Sequence, residues 1–193
     1  MKKGFTLIEL LIVVAIIAIL AAIAIPNFLE AQIRSKVSRA KADMRSIATA
    51  IESYATDWNV VPPHTVNVSG ADWFDPRGSG LIGCWFTTPI AYITSNRLRV
   101  PFIPENWGST PEDEWWFSYH NIKQTGWSQP FPDYYGAWRL GSIGPDKDYW
   151  NTVPGVSDNP QRPYDPTNGT VSIGNIWRSQ NHPDCTWQPV GWY

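Results

Sequence analysis

Cysteine, methionine and charge are all scarce in this chain. Among its 193 residues are two cysteines and two methionines, and 17% are charged, with 15 Lys and Arg against 17 Asp and Glu. There is no basic patch and no interleaving of aromatic with basic residues, the pattern typical of nucleic-acid binding. Nucleic acid is therefore not an expected partner.

The sequence also lacks the motifs that carry catalysis. Gly78-Ser79-Gly80 is not followed by the Lys-Ser/Thr pair of a phosphate-binding loop. His64, His120 and His182 are scattered, and no two of them have the spacing of metal ligands on a helix. The serines stand in no nucleophile-elbow context. We therefore expect that the chain is not an enzyme.

An unbroken apolar run from Leu10 to Ile25 follows a short basic start. No small-residue cleavage site follows Ile25, so the run is expected to stay in the protein rather than to be removed as a secretory signal. Residues 5–25 form a helix of roughly 30 Å, enough to cross a bilayer. Lys2 and Lys3 should remain cytoplasmic, which places the chain after Pro26 outside the inner membrane. A plain membrane anchor for a soluble domain is the alternative.

The helical pattern continues beyond the apolar run. Apolar residues recur at spacings of four and three at Ile33, Val37, Ala40, Met44, Ile47, Ile51, Tyr54 and Trp58. This stripe predicts one helix from about Phe5 to Asp57, roughly 80 Å long, whose second half packs on a globular domain. A coiled coil is the alternative. Pro26 predicts a kink or local unwinding at the junction of the two halves.

The segment Lys3-Gly4-Phe5-Thr6-Leu7-Ile8-Glu9 resembles the class III signal of type IV pilins and type II secretion pseudopilins. The resemblance implies that a prepilin peptidase cuts after Gly4 and methylates Phe5. It also implies that Glu9 pairs with the N-terminal amine of a neighbouring subunit in a filament. A favourable interaction of Glu9 with the helix dipole is the simpler explanation. Relatives carry a proline at the place of Pro26.

Four segments follow from these features: a leader over 1–4, a membrane or filament-core helix over 5–25, its amphipathic half over 26–57, and a periplasmic or extracellular domain over 58–193. The domain holds all 12 tryptophans and 16 of the 17 prolines. Its predicted elements are a short helix over 88–93 and strands over 115–122, 134–143 and 171–178. The sequence therefore predicts an α+β fold, with a small antiparallel sheet packed on the long helix.

Residues 87–93, 140–146 and 164–170 resemble segments of G-like major pseudopilins, although Trp- and Pro-rich insertions depart from that pattern. The resemblance implies a calcium loop in which Asp146 and Asp148 are ligands. Oxygen-rich irregular loops suit Ca²⁺, yet a Pro-Asp turn also forms without metal.

Cys84 and Cys185 both fall in the exported domain. An even count in an oxidising compartment predicts one disulfide, closing a loop of about 100 residues worth roughly 4.7 kcal/mol. Two buried free thiols are the alternative.

The resemblance implies a structural subunit that self-assembles into the helical pseudopilus of a type II secretion system and acts in protein export across the outer membrane. Its implied partners are copies of itself, the prepilin peptidase/methyltransferase, an assembly platform protein with its ATPase, and the inner membrane. A surface type IV pilin, major or minor, is the first alternative. A membrane-anchored module whose tryptophans bind carbohydrate is the second.

Overall fold

The computed structural model describes residues 4–63, 86, 90–94, 98–102, 117–123, 131–147 and 163–183. A single helix dominates it: α1 runs from Leu7 to Trp58 over 52 residues, which corresponds to about 78 Å. Thr6 caps its N-terminus and Asn59, with a φ of 54°, caps its C-terminus in the left-handed conformation. The prediction of a helix over residues 5–57 is confirmed to within two residues at either end.

The two halves of α1 have different surroundings. The membrane-length apolar window of the helix has no buried residue. In the second half, one face enters the core through Val37, Ala40, Met44, Ile47, Ala48, Ala50, Ile51 and Tyr54. The stripe read from the sequence thus packs on the globular domain, apart from Trp58, which is 52% exposed.

Helix α1 continues through Pro26 without interruption, so local unwinding is not present, and a kink at this position stays a prediction. An interior proline removes one backbone donor and crowds the carbonyl of the residue four positions earlier, which costs about 3 kcal/mol. The turns on either side, with Ala21-Ala22 before Pro26 and Glu30-Ala31-Gln32 after it, are good helix formers. They keep the helix continuous despite this local cost.

Three short strands form an antiparallel sheet in the order β1-β2-β3. They are β1 Ser118–Asn121, β2 Trp138–Ser142 and β3 Ile176–Ser179. The register pairs Tyr119 with Leu140, and Leu140 with Arg178. Helix α1 contacts both β2 and β3, which gives the α+β arrangement that the sequence predicts.

The strand predicted over residues 134–143 is partly wrong. A short helix, α2, occupies Phe131–Tyr135, and the strand begins only at Trp138. Pro132 lies in the first turn of α2, where its missing N–H costs nothing, and Gly136 follows the helix with a φ of 81°. These two residues set the bounds of α2, whereas the alternation of apolar residues suggested a strand.

Two other predicted elements also differ from the structure. Residues 90–94 form bends rather than a helix, held by hydrogen bonds from the Tyr92 and Ile93 amides to the Phe86 carbonyl. The third strand is four residues long, because Pro166–Val171 forms a 3₁₀ helix that Asp165 caps. Proline at the first helical position and Asp at the cap favour this turn over an extended chain.

Candidate functional site

The start of α1 presents the residues that the sequence singled out. A side chain added at Gly4 would meet nothing within 4 Å, and Phe5 is 73% exposed. The bond between Gly4 and Phe5 therefore lies in an open segment directly before the helix. Such a segment is sterically accessible to a peptidase.

Glu9 is held by a capping box with Thr6. Its Oε2 accepts hydrogen bonds from the Thr6 amide at 2.9 Å and from the Thr6 hydroxyl at 2.5 Å. The Glu9 amide in turn donates to the Thr6 hydroxyl at 3.4 Å. The reciprocal pair satisfies donors that would otherwise be unpaired at a helix start.

Sequence reasoning missed Thr6, although Thr-x-x-Glu before an apolar run is a recognised signal for a helix N-terminus. The side chain of Glu9 remains exposed, and Oε1 accepts no hydrogen bond from any described residue. The carboxylate is therefore oriented by its own chain through one oxygen, while its second oxygen stays open to another group.

The apolar half of α1 exposes its large side chains on every side. Exposure ranges from 46% at Val13 to 80% at Leu7, and Phe28 and Leu29 continue the apolar surface past Pro26. Charged residues begin just beyond, with an ion pair between Glu30 and Arg34 at 2.5 Å. By length and composition, α1 is the one helix in the described part of the chain that could cross a membrane. An exposed apolar surface of this size is unfavourable in water, so lipid or other protein is expected to cover it.

Asp146 lies in the turn after β2. Its Oδ2 accepts a hydrogen bond from the Gly174 amide at 2.9 Å, which ties this turn to the start of β3. Asp148 lies outside the described residues, and the described residues contain no group of three or more potential metal-ligating side chains. Asp146 thus contributes a structural contact in addition to any role as a ligand.

Asp165 caps the 3₁₀ helix and does not face Asp146 in any described contact. Its Oδ1 accepts hydrogen bonds from the amide of Thr167 at 2.8 Å and from its hydroxyl at 2.7 Å. The hydroxyl and then the amide of Thr167 lower the pKa of the Asp165 carboxyl from its ordinary value. This carboxylate is therefore used for capping.

Cys84 and Cys185 lie outside the described residues. Three tryptophans can be assessed: Trp138 and Trp177 are buried in the core, and Trp58 is exposed but stacks on Tyr54 with ring centroids 5.9 Å apart. The row of exposed coplanar tryptophans that a carbohydrate platform requires is not found among these three.

Comparison with known proteins places these features in context. The family described as "Prokaryotic N-terminal methylation motif" matches residues 1–25. The type IV major pilin protein PilA of Myxococcus xanthus is 60% identical over 56 residues, which is 29% of this chain and 26% of that relative. Through this N-terminal part, the chain carries the N-terminal methylation motif and is similar to type IV pilins.

Two further relatives widen the comparison of this pilin-like chain. The type II secretion system core protein G of Pseudomonas aeruginosa is 42% identical over 64 residues, 33% of this chain and 44% of the relative. A probable minor fimbrial protein of Dichelobacter nodosus is 43% identical over 106 residues, 53% of this chain and 64% of the relative. The chain thus covers between about a quarter and two thirds of the length of these relatives. No solved structure matches it.

The matched motif contains Gly4, Phe5 and Glu9, so the family assignment made from these residues is confirmed. The relatives described above are named as a pilin, a fimbrial protein and a secretion-system core protein, and none of them as an enzyme. This agrees with the expectation that the chain is not an enzyme.

Proposed function

We propose that this pilin-like chain is a structural subunit that assembles from the inner membrane into a helical filament. The observation that supports the proposal best is the single helix α1, whose first half has no buried residue and is apolar apart from Glu9, while one face of its second half is part of the domain core. Such a helix can be held by lipid before assembly and by neighbouring copies afterwards.

Processing and assembly follow from the start of the helix. In this proposal a prepilin peptidase cuts after Gly4, methylates Phe5 and leaves the new amine beside the capping box. A carboxylate in a membrane helix costs about 2.5–3.5 kcal/mol on insertion scales, so Glu9 needs a partner. Thr6 occupies Oε2, and the amine of a neighbouring subunit binds at Oε1.

Substitution of Glu9 tests the pairing. Glu9→Leu removes the charge, so membrane insertion should be intact or improved while the yield of filaments falls to background. Thr6→Ala is the matched control, since it removes the hydroxyl of the capping box but keeps the carboxylate that pairs between subunits. Sedimentation and electron microscopy measure filament yield, and a normal yield from Glu9→Leu would contradict the pairing.

The leader has its own test. Gly4→Val should block the peptidase and leave a precursor four residues longer in the inner membrane. Mass spectrometry of the wild-type filament should show a methylated N-terminal Phe5. An intact Met1, or an unmethylated Phe5, speaks against the processing step.

For the finer assignment, we propose a periplasmic pseudopilus of a type II secretion system, acting in protein export with a platform protein and its ATPase. It is supported by the match to a secretion-system core protein G and by the resemblance of residues 140–146 and 164–170 to G-like pseudopilins. Deletion of the gene should then block protein export and leave surface filaments unchanged.

A surface type IV pilus is the second candidate. The match of 106 residues to a probable minor fimbrial protein is longer than the 52 residues of α1, so it includes part of the globular domain. Long filaments outside the cell that contain this chain, with export unaffected by its deletion, would establish this candidate instead.

Calcium binding at Asp146 and Asp148 remains a proposal. The carboxylate of Asp146 already joins two loops through Gly174, and a bound cation would strengthen that junction. Calorimetric titration of the whole chain in detergent should show calcium binding that Asp146→Ala removes and Asp165→Ala leaves unchanged. Absence of heat, and of any effect of chelator on the melting temperature, would leave an ordinary turn.

The disulfide between Cys84 and Cys185 is likewise a proposal. Denaturation without reductant should leave both thiols unreactive toward an alkylating reagent, and reduction should make both reactive. Two reactive thiols before reduction would refute the bridge.

A further inference from the structure

Helix α1 carries an excess of positive charge just after its apolar segment. From Glu30 to Arg45 it has five basic residues against two acidic ones. Both acids lie beside a basic residue one turn away, Glu30 with Arg34 and Asp43 with Arg39. The positive charge of this part of the helix is therefore only partly balanced by the helix itself.

The apolar surface of α1 indicates where this charge lies relative to a bilayer. Large apolar side chains are exposed from Leu7 to Leu29, a length of roughly 34 Å. A hydrocarbon core about 30 Å thick that begins near Leu7 therefore ends close to Leu29. The headgroup layer beyond it is about 5–7 Å deep. It covers the turn that contains Glu30 and extends almost to Arg34.

Arg34 extends back toward the apolar segment. Its Nη2 donates to Glu30 Oε1 at 2.5 Å, one turn nearer the start of the helix, in keeping with the lean of helical side chains toward the N-terminus. A guanidinium has five N–H donors, and among the described residues Glu30 supplies the acceptor for one of them. Because 66% of the Arg34 side chain is exposed, its other donors are accessible to an anion at the level of the headgroups.

Lys36 provides a second cation on the other side of the helix. Two residues turn an α-helix by about 200°, so Lys36 and Arg34 leave it in nearly opposite directions. Lys36 is exposed and forms no ion pair with any residue that the structure describes. Its Nζ lies 5.8 Å from the centre of the Phe102 ring, near the outer limit of a cation–π contact. The long lysine side chain can therefore extend to the headgroup layer.

We propose that Arg34 and Lys36 bind the phosphate groups of anionic phospholipids at the outer surface of the inner membrane before the subunit assembles. The inference rests on the proposed function, which places the first half of α1 in that membrane. Guanidinium and ammonium groups both suit phosphate oxygens. Lipid is favoured as the occupant because these two cations directly follow the apolar segment, at the depth of the headgroups.

The lipid selectivity of the whole chain in bilayers tests this contact. The protein is reconstituted in phosphatidylcholine vesicles with a trace of spin-labelled phosphatidylglycerol, which is anionic, or of spin-labelled phosphatidylcholine, which has no net charge. Electron paramagnetic resonance measures how much of each label the protein restricts in its motion. Arg34→Gln combined with Lys36→Gln removes both proposed ligands of the phosphate.

Arg45→Gln combined with Lys123→Gln is the matched control, since it also removes one arginine and one lysine. Both residues are exposed. Arg45 lies about 24 Å beyond Leu29 along the helix, and Lys123 lines a groove with Asn59 at the far end of α1. At physiological salt, charges at such distances are screened from the headgroups, because the Debye length is about 8 Å.

The wild type should restrict phosphatidylglycerol more than phosphatidylcholine. This preference should fall about twofold or more when Arg34 and Lys36 are replaced, and it should stay at the wild-type value in the control. Glu30→Gln should raise the preference, because it removes a negative charge from the headgroup layer and frees Arg34. Arg34→Lys combined with Lys36→Arg keeps both charges and should keep the preference, which separates loss of charge from misfolding.

Equal restriction of the two labels by the wild type, or the same loss in both double variants, would overturn the inference. Loss of preference in the variant that keeps both charges would also overturn it. An unchanged lipid preference with a lower filament yield from Arg34→Gln and Lys36→Gln would assign these cations to a second copy instead. If the wild type restricts neither lipid, the chain does not lie in the bilayer, and the proposed function itself is refuted.

Discussion

The contact between the turn after β2 and the chain entering β3 leaves no room for a side chain at Gly144. A Cβ built there would lie 1.8 Å from the Gly174 carbonyl oxygen and 2.9 Å from its carbon. Ordinary contact begins at 3.4 Å, so Gly144→Ala must push two backbone segments apart by roughly 1.6 Å. A flexible side chain could move aside, but a backbone carbonyl next to a strand cannot do so cheaply.

The cost of this displacement can be estimated from the contacts it breaks. The Gly144 amide donates to Asn175 Oδ1 at 3.1 Å, and the Gly174 amide donates to Asp146 Oδ2 at 2.9 Å. Loss of two such bonds at about 1 kcal/mol each, with about 1–3 kcal/mol of overpacking, gives about 3–5 kcal/mol. For a domain of this size the melting temperature should fall by roughly 10–20 °C.

Thermal denaturation of the whole chain in detergent, followed by circular dichroism, measures the effect. Gly136→Ala is the comparison, because its backbone has a φ of 81° but the nearest obstacle is the Gln180 side chain. That substitution should cost about 1–2 kcal/mol of conformational strain together with a shift of the Gln180 side chain, which is less than separating two backbone segments. If Gly144→Ala melts within a few degrees of the wild type, or costs less than Gly136→Ala, the close-approach argument is refuted.

Three further predictions follow from buried and capping groups. Met44→Ala, at a fully buried position of α1, should lower the free energy of unfolding by about 2–5 kcal/mol in urea titration. Thr167→Val removes a hydroxyl that lowers the pKa of Asp165, so nuclear magnetic resonance should show a higher pKa of Asp165 in the variant than in the wild type. The stabilisation from the ionised cap is present above the unfolded pKa and is lost as the pH falls, and this loss should occur at a higher pH in the variant. Burial raises the pKa of Tyr134 from 10.0 to about 12. The contribution of the neutral Tyr134 side chain to folding stability is therefore complete below pH 10 and is lost as the pH rises toward 12. Tyr134→Phe should lessen this alkaline loss of stability.

The long helix was the most predictable part of the fold, because its signal is repeated along the chain. Eight apolar positions at helical spacing outweigh the single unfavourable residue Pro26. The helix ends were predicted to within two residues, and the remaining difference is explained by caps. Thr6 begins the helix through its hydroxyl, and Asn59 ends it in a left-handed conformation that asparagine adopts readily.

The strands were harder to predict, since their burial does not alternate. All four residues of β1 and all five of β2 are buried, so polar residues such as His120 and Arg139 do not mark a solvent-facing side. The guanidinium of Arg139 lies 4.9 Å from the Tyr135 ring and 4.6 Å from the Trp177 ring. Such stacking allows a charged residue in the interior, and no local pattern in the sequence predicts this stacking.

The candidate sites also differ in how well they could be predicted from the sequence. The residues at the start of α1 form a local motif, and they were recognised from consecutive letters. Asp146 and Gly174 are 28 positions apart in the sequence, and their contact depends on the pairing of β2 with β3. A long-range contact of this kind can be found only after the strands are paired.

The continuity of α1 has a mechanical consequence. A pull on the N-terminal half of α1 passes along one continuous helix, through Pro26, into eight residues of the domain core. The load then acts in shear between the helix and the sheet, so contacts such as those of Met44 and Ile51 must yield together rather than one after another. In the proposed filament, tension along α1 would therefore be borne by the hydrophobic core of each subunit instead of by its loops.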